Sequence, residues 1–132
     1  MGTHDYENDS RNEDVLVSVN GDIVPRKEAM VSVFDAGFLL GDGVWESFRL
    51  HKGTIVFAED HLDRLFSGAE SISLDIGMSR DEVIEQVDRV ISANGMHDGV
   101  HVRLVVSRGL QPPPYQAPRV ISRPPTRDIM PA

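Results

Sequence analysis

Two amphipathic helical patterns stand back to back in the middle of this chain, with β-branched runs before and after them. That order limits the fold more than any other feature. From about Glu59, Leu62, Leu65, Phe66, Ala69 and Ile72 recur at helical spacing and share one face. The second helix is bounded by chemistry as well as by period. Ser79 and Glu82 are spaced as a capping box, Val83, Ile84, Val87, Val90 and Ile91 form the apolar face, and Asn94-Gly95 ends it. Upstream, Val15 to Val19 meets Asn20-Gly21-Asp22 and resumes at Ile23-Val24, which reads as a hairpin. A second hairpin runs from Val44 to Leu50 and is turned by His51-Lys52-Gly53 into Thr54 to Phe57. Val31 to Phe34 reads as a further short strand, followed by a loop punctuated by Gly37, Gly41 and Gly43. Val100 to Ser107 is a strand closed by Arg108-Gly109. Strands, two helices and a strand predict an α+β domain of antiparallel hairpins packed with two helices.

The flanks differ in kind. Residues 1–14 are almost wholly polar and cannot bury enough apolar surface to offset the entropy of ordering, so they are expected to form a flexible tail. Residues 111–132 hold seven of the eight prolines, and proline removes amide donors, so this segment is expected to be extended with at most short edge strands. The domain proper is expected over 15–110. A length of 132 residues with 40% hydrophobic content suits one compact unit. A net charge of -8 argues against nucleic acid or an anionic membrane surface as partner, which leaves a small molecule or another protein. No apolar run approaches a membrane span and the N-terminus lacks the pattern of a signal peptide, so a cytoplasmic location is expected. The absence of cysteine excludes disulfides, thiolate nucleophiles and cysteine-ligated metals.

Several constellations can be weighed on chemistry alone. Gly41-Asp42-Gly43 is not a dinucleotide loop, because the third glycine would fall at Glu46 and a strand follows. The histidines show no metal-binding spacing, and no serine lies in a nucleophile elbow. Arg64 lies beside the apolar Leu62, Leu65 and Phe66 face, where a guanidinium needs a carboxylate or a phosphate; pairing with Asp60 or Asp63 on the same helix is the simpler alternative. Arg103 interrupts an apolar strand and points either to solvent or into a polar cavity. Phe38 and Trp45 flank the glycine loop and suit either a small-molecule pocket or the core.

Three separated motifs break these ties together. Asp35-Ala36-Gly37-Phe38 with Gly41-Asp42-Gly43-Val44-Trp45-Glu46, then Glu59-Asp60-His61-Leu62-Asp63-Arg64-Leu65, then Val102-Arg103-Leu104-Val105-Val106-Ser107-Arg108-Gly109, resemble in order and spacing the class IV aminotransferases. These are pyridoxal-phosphate enzymes of fold type IV, which include branched-chain, D-amino acid and (R)-selective amine transaminases and aminodeoxychorismate lyase. The resemblance runs from about Val15 to the end and implies the small N-terminal domain of that fold. It implies that Arg64 grips the phosphate of pyridoxal 5'-phosphate. It also implies that Phe38, Leu40, Trp45, His101 and Arg103 line the substrate side. D-amino acid members carry Arg-x-His where this chain has Pro113-Pro114-Tyr115.

What the resemblance does not supply is the lysine that forms the coenzyme imine. The chain has two lysines, Lys27 and Lys52, and neither matches the family position, which lies in a later and larger domain along with the acidic partner of the pyridine nitrogen. No catalytic residue and no metal ligand is therefore assigned. The expected function is that of the N-terminal portion of an aminotransferase exchanging amino groups between an amino acid or amine and a keto acid, inactive alone and part of a dimer when whole. The alternatives are a portion of an aminodeoxychorismate lyase-like enzyme and a non-catalytic interaction module.

Overall fold

In a computed structural model, the structure describes residues 8–111 and 125–131. The chain runs β1 (Leu16–Val19), β2 (Asp22–Pro25), α1 (Ala36–Leu40), β3 (Gly43–His51), β4 (Thr54–Val56), α2 (Ala58–Ser71), α3 (Arg80–Asn94), β5 (Val100–Ser107) and β6 (Thr126–Pro131). Both expected hairpins form on two-residue turns whose residues have positive φ, Asn20 at 53° with Gly21 at 89°, and Lys52 at 46° with Gly53 at 78°. This handedness matches the twist of the strands they join. The six strands make one sheet in the order β2-β1-β6-β5-β3-β4, and every pairing is antiparallel.

The helices cover one face of the sheet, α2 against β3 and α3 across β1 and β6. Strand alternation sends Phe48 and Leu50 of β3, Val100, Val102, Leu104 and Val106 of β5 and Ile129 of β6 toward them. Leu62, Leu65 and Ala69 of α2 and Val83, Val87, Val90 and Ile91 of α3 complete this core. The second helix has the expected ends: the Ser79 hydroxyl accepts from the Glu82 amide, and Gly95 closes the helix in the left-handed region. Asn94 then ties α3 to β1, accepting from Leu16 N at 2.7 Å and donating to Leu16 O at 3.0 Å. No described helix is long and apolar enough to cross a membrane.

Four expectations change. Val31 to Phe34 is not a strand, because it has no ladder partner among the described residues; Asp35 N donates to Ser32 O in a turn, and the adjoining segment meets the sheet through an isolated bridge between Asp35 and Leu110, with Gln111 N donating to Phe34 O and the Thr126 hydroxyl to the Asp35 carboxylate. The glycine loop contains a short helix, α1, capped by the Asp35 carboxylate on Gly37 N and ended by Gly41 at φ 65°. The proline-rich segment yields an interior strand, since β6 lies between β1 and β5. The one proline within its bounds, Pro131, is its last residue, while Ile129 joins the core. In the region expected to be a flexible tail, Ser10–Asn12 form a 3-10 turn and Arg11 donates to Asp98 O at 2.9 Å.

Candidate functional site

Among the described residues the outer side of β3 is only half covered, because β4 pairs with Arg49, Leu50 and His51 and leaves Gly43 to Phe48 without a strand neighbour there. The residues singled out from sequence gather on either side of this open edge. Position 46 has the parity of Phe48 and Leu50, so strand geometry turns Glu46 inward, where it is 1% exposed. A carboxylate so placed needs cations, and α2 provides them. Arg64 donates from Nε to Glu46 Oε2 at 2.7 Å and from Nη2 to Oε1 at 2.5 Å, while His61 Nδ1 lies 3.1 Å from Oε1 and Ser47 N donates to the same oxygen at 2.9 Å. Burial alone would raise the Glu46 pKa, but the hydrogen bonds from Arg64, the Ser47 amide and His61 outweigh it and hold the group at about 2.

The fork fixes Arg64 without burying it, since 73% of its side chain remains exposed. Its Nη1 donors make no hydrogen bond to any described residue, and the side chain lines a shallow pocket together with Phe57, Asp60 and His61. Phe57, which precedes the helix, is held at φ 53°, a conformation costly for a bulky residue. An oriented guanidinium edge open to solvent suits an anion with several acceptor oxygens.

The other sheet face carries the second group. Trp45 and Arg103 lie diagonally across the β3–β5 pairing, and the Arg103 guanidinium sits 4.5 Å from the Trp45 ring centroid. His101 lies two residues along the same face of β5. Trp45 is 58% exposed and Phe38 68%, so neither is a core residue. Phe38 and Leu40 stand exposed on α1, which is fastened at the Ser107 end of β5 by Ala36 N donating to Gly109 O at 2.8 Å. The structure thus brings Trp45 and Arg103 into contact, with His101 further along the same face, and places Arg64 across the sheet edge from them.

Close approach to the end of β5 explains Gly43 and Gly37. A Cβ on Gly43 would lie 2.5 Å from Val106 O, and one on Gly37 would lie 2.8 Å from Ser107 Cβ. Between them, Asp42 receives Arg108 Nε at 2.7 Å and Nη2 at 3.1 Å, and the same guanidinium donates to Ile72 O at 2.6 Å and Ser73 O at 3.0 Å. This bond locks the glycine loop to the end of β5 and to the C-terminus of α2.

Glu46, His61, Phe57 and the Asp42–Arg108 pair are functional or positioning candidates that were not assigned from sequence. Strand parity was the available signal for Glu46. Arg64 pairs with neither alternative on its own helix, and Asp63 is taken by Arg80 at 2.6 Å. Pro113-Pro114-Tyr115 lies outside the described residues.

A family model described as amino-transferase class IV matches residues 43–125. Branched-chain-amino-acid aminotransferase-like protein 1 of Arabidopsis thaliana is 45% identical over 98 residues, which cover 74% of this chain and 18% of that protein. The putative branched-chain-amino-acid aminotransferase of Methanocaldococcus jannaschii is 40% identical over 94 residues, 71% of this chain and 32% of that one. The chain therefore spans a third or less of these relatives. Among solved structures, the branched-chain aminotransferase of Thermoproteus uzoniensis with norvaline superposes with a TM-score of 0.74 at 24% identity, over 90% of this chain and 40% of that one. At that identity the likeness shows the fold.

Proposed function

Because the chain belongs to the class IV aminotransferase family, we propose that it supplies the small domain of a pyridoxal-phosphate enzyme that exchanges amino groups between an amino acid or amine and a keto acid. The observation that carries this reading is Arg64, oriented by a buried carboxylate yet open to solvent along one edge. In this reading Arg64 holds the coenzyme phosphate. Glu46 and His61 keep the guanidinium in place, and Trp45, Arg103 and His101 form the wall along which substrate is oriented, with Phe38 and Leu40 at its rim.

The residues present fit the phosphate end of pyridoxal 5'-phosphate and nothing beyond it. When bound, the coenzyme supplies a carbonyl that accepts the amino group of substrate. No lysine lines the Arg64 pocket among the described residues: Lys52 occupies the β3–β4 turn and Lys27 the turn after β2. A single charge-assisted contact contributes about 1.5–3 kcal/mol, so phosphate held by Arg64 alone dissociates with a constant above ~1 mM. The test is a 31P titration of this chain with millimolar pyridoxal 5'-phosphate. A weak fast-exchange shift that disappears in Arg64→Gln supports the reading, and identical titrations of the two proteins contradict it.

A further inference from the structure

A second site lies on the helix-covered face of the sheet, where the β1–β2 turn, β6 and the start of α3 meet. A cleft of about 250 Å³ opens there, with Ser18, Met78, Glu82, Gln86, Arg127 and Ile129 among its walls. Ile129 and Ser18 pair across β1 and β6, and Arg127 pairs with Val106, so these side chains leave the sheet on the face opposite Trp45 and Arg103.

The polar groups of this cleft are only partly matched. Ser18 is 1% exposed, and its hydroxyl makes no hydrogen bond to any described residue although it borders the open space. Arg127 is held by its backbone, whose amide donates to Asn20 Oδ1 at 2.9 Å and whose carbonyl accepts from Asn20 N at 2.8 Å. Its Nη1 reaches Ile76 O at 3.4 Å and Gly77 O at 3.3 Å, both at the long limit of hydrogen bonding. The Nε and Nη2 donors have no partner among the described residues. Glu82 borders the same space from the first turn of α3, and no nitrogen of Arg127 comes within the 4.0 Å of an ion pair with it.

A cation and an anion that share a small cleft without touching leave a gap for a molecule carrying both charges. We propose that this cleft binds a small zwitterion of the α-amino acid class. Its carboxylate meets Arg127 and the Ser18 hydroxyl, and its ammonium meets Glu82 and the Gln86 carbonyl. A short apolar side chain rests on Met78 and Ile129. A bidentate guanidinium–carboxylate contact supplies both energy and orientation. The volume, just below that of drug-sized sites, sets an upper limit on ligand size. The site does not depend on Arg64, so its failure and that of the coenzyme reading are separable.

The experiment is a 1H–15N titration of the 132-residue chain with L-valine, set beside 3-methylbutanoate, which lacks the ammonium, and 2-methylpropylamine, which lacks the carboxylate. Saturable shifts at the amides of Ser18, Met78, Glu82 and Arg127 are expected with L-valine, and midpoints at least tenfold higher with either half-ligand. Arg127→Gln and Glu82→Gln should each raise the L-valine midpoint at least tenfold. Glu82 is exposed, so its variant retains the fold and keeps the test valid if Arg127→Gln does not. Absence of saturable shifts, equal midpoints for 3-methylbutanoate and L-valine, or an unchanged midpoint in Glu82→Gln would overturn the proposal.

Discussion

Arg64 on α2 and Glu46 on β3 form a two-point bond in which the carboxylate is buried at 1% exposure and the guanidinium is not, at 73%. The asymmetry matters because the two partners do different jobs. Glu46 is removed from water and needs Arg64, whereas Arg64 keeps one edge free.

Arg64→Ala should therefore be costly even though it removes an exposed side chain. The buried carboxylate keeps only His61 and the Ser47 amide, so stability at pH 7 should fall. The deficit should shrink near pH 4, where the stranded carboxyl takes up a proton. Urea unfolding at the two pH values checks this, and an equal deficit at both would contradict it.

The wild-type pair also fixes an acid limit. Glu46 titrates at about 2 in the folded chain against an ordinary value of 4.5. Its contribution is fully present above the unfolded value and is lost as pH falls from about 4.5 toward 2. Melting temperature should decline across that interval and decline less in Glu46→Gln.

Asp128 behaves in the opposite sense. Burial first, and then the nearby Asp35 carboxylate, push its pKa up to about 6, and its Oδ1 is buried without a hydrogen bond. The folded state binds this proton more tightly than the unfolded state, so the associated stability is present below about 4 and lost as pH rises through about 6. Asp128→Asn should raise stability at pH 7 by about 1 kcal/mol after allowance for solvent screening, with no gain at pH 4. Thermal melts at both values decide it; a gain of the same size at pH 4 would contradict the assignment.

Gly43→Ala should destabilise the chain by about 2 kcal/mol, because its Cβ would press on the backbone oxygen of Val106 rather than on a movable side chain. Arg108→Ala should loosen the glycine loop by removing its bonds to Asp42, Ile72 and Ser73. Hydrogen exchange at residues 41–43 should rise in the Arg108 variant while that of β5 interior amides stays slow.

Both long helices and both hairpins were legible in the sequence because local signals carried them: the Ser79 cap, the Gly95 stop, and the Asn20-Gly21 and Lys52-Gly53 turns. The position of β6 was not, since an interior strand is defined by its neighbours, and prolines before Pro131 suggested an edge. Val31 to Phe34 has strand composition but no strand to pair with among the described residues, which composition cannot reveal. At the site, the motifs pointed to Arg64, Trp45 and Arg103, but the partner of Arg64 lies across a tertiary contact. Spacing along α2 offered only Asp60 and Asp63. The Asp42–Arg108 bond escaped for the same reason, its two residues being brought together only by the fold.

We propose that this chain engages the phosphate end of the coenzyme and that neither Lys27 nor Lys52 is placed to capture its carbonyl. Incubation of the purified chain with pyridoxal 5'-phosphate, borohydride reduction and peptide mapping tests it most directly. No stoichiometric adduct at Lys27 or Lys52 and no imine absorbance band are expected. A single stoichiometric adduct at either lysine, accompanied by amino-group transfer, would contradict the claim.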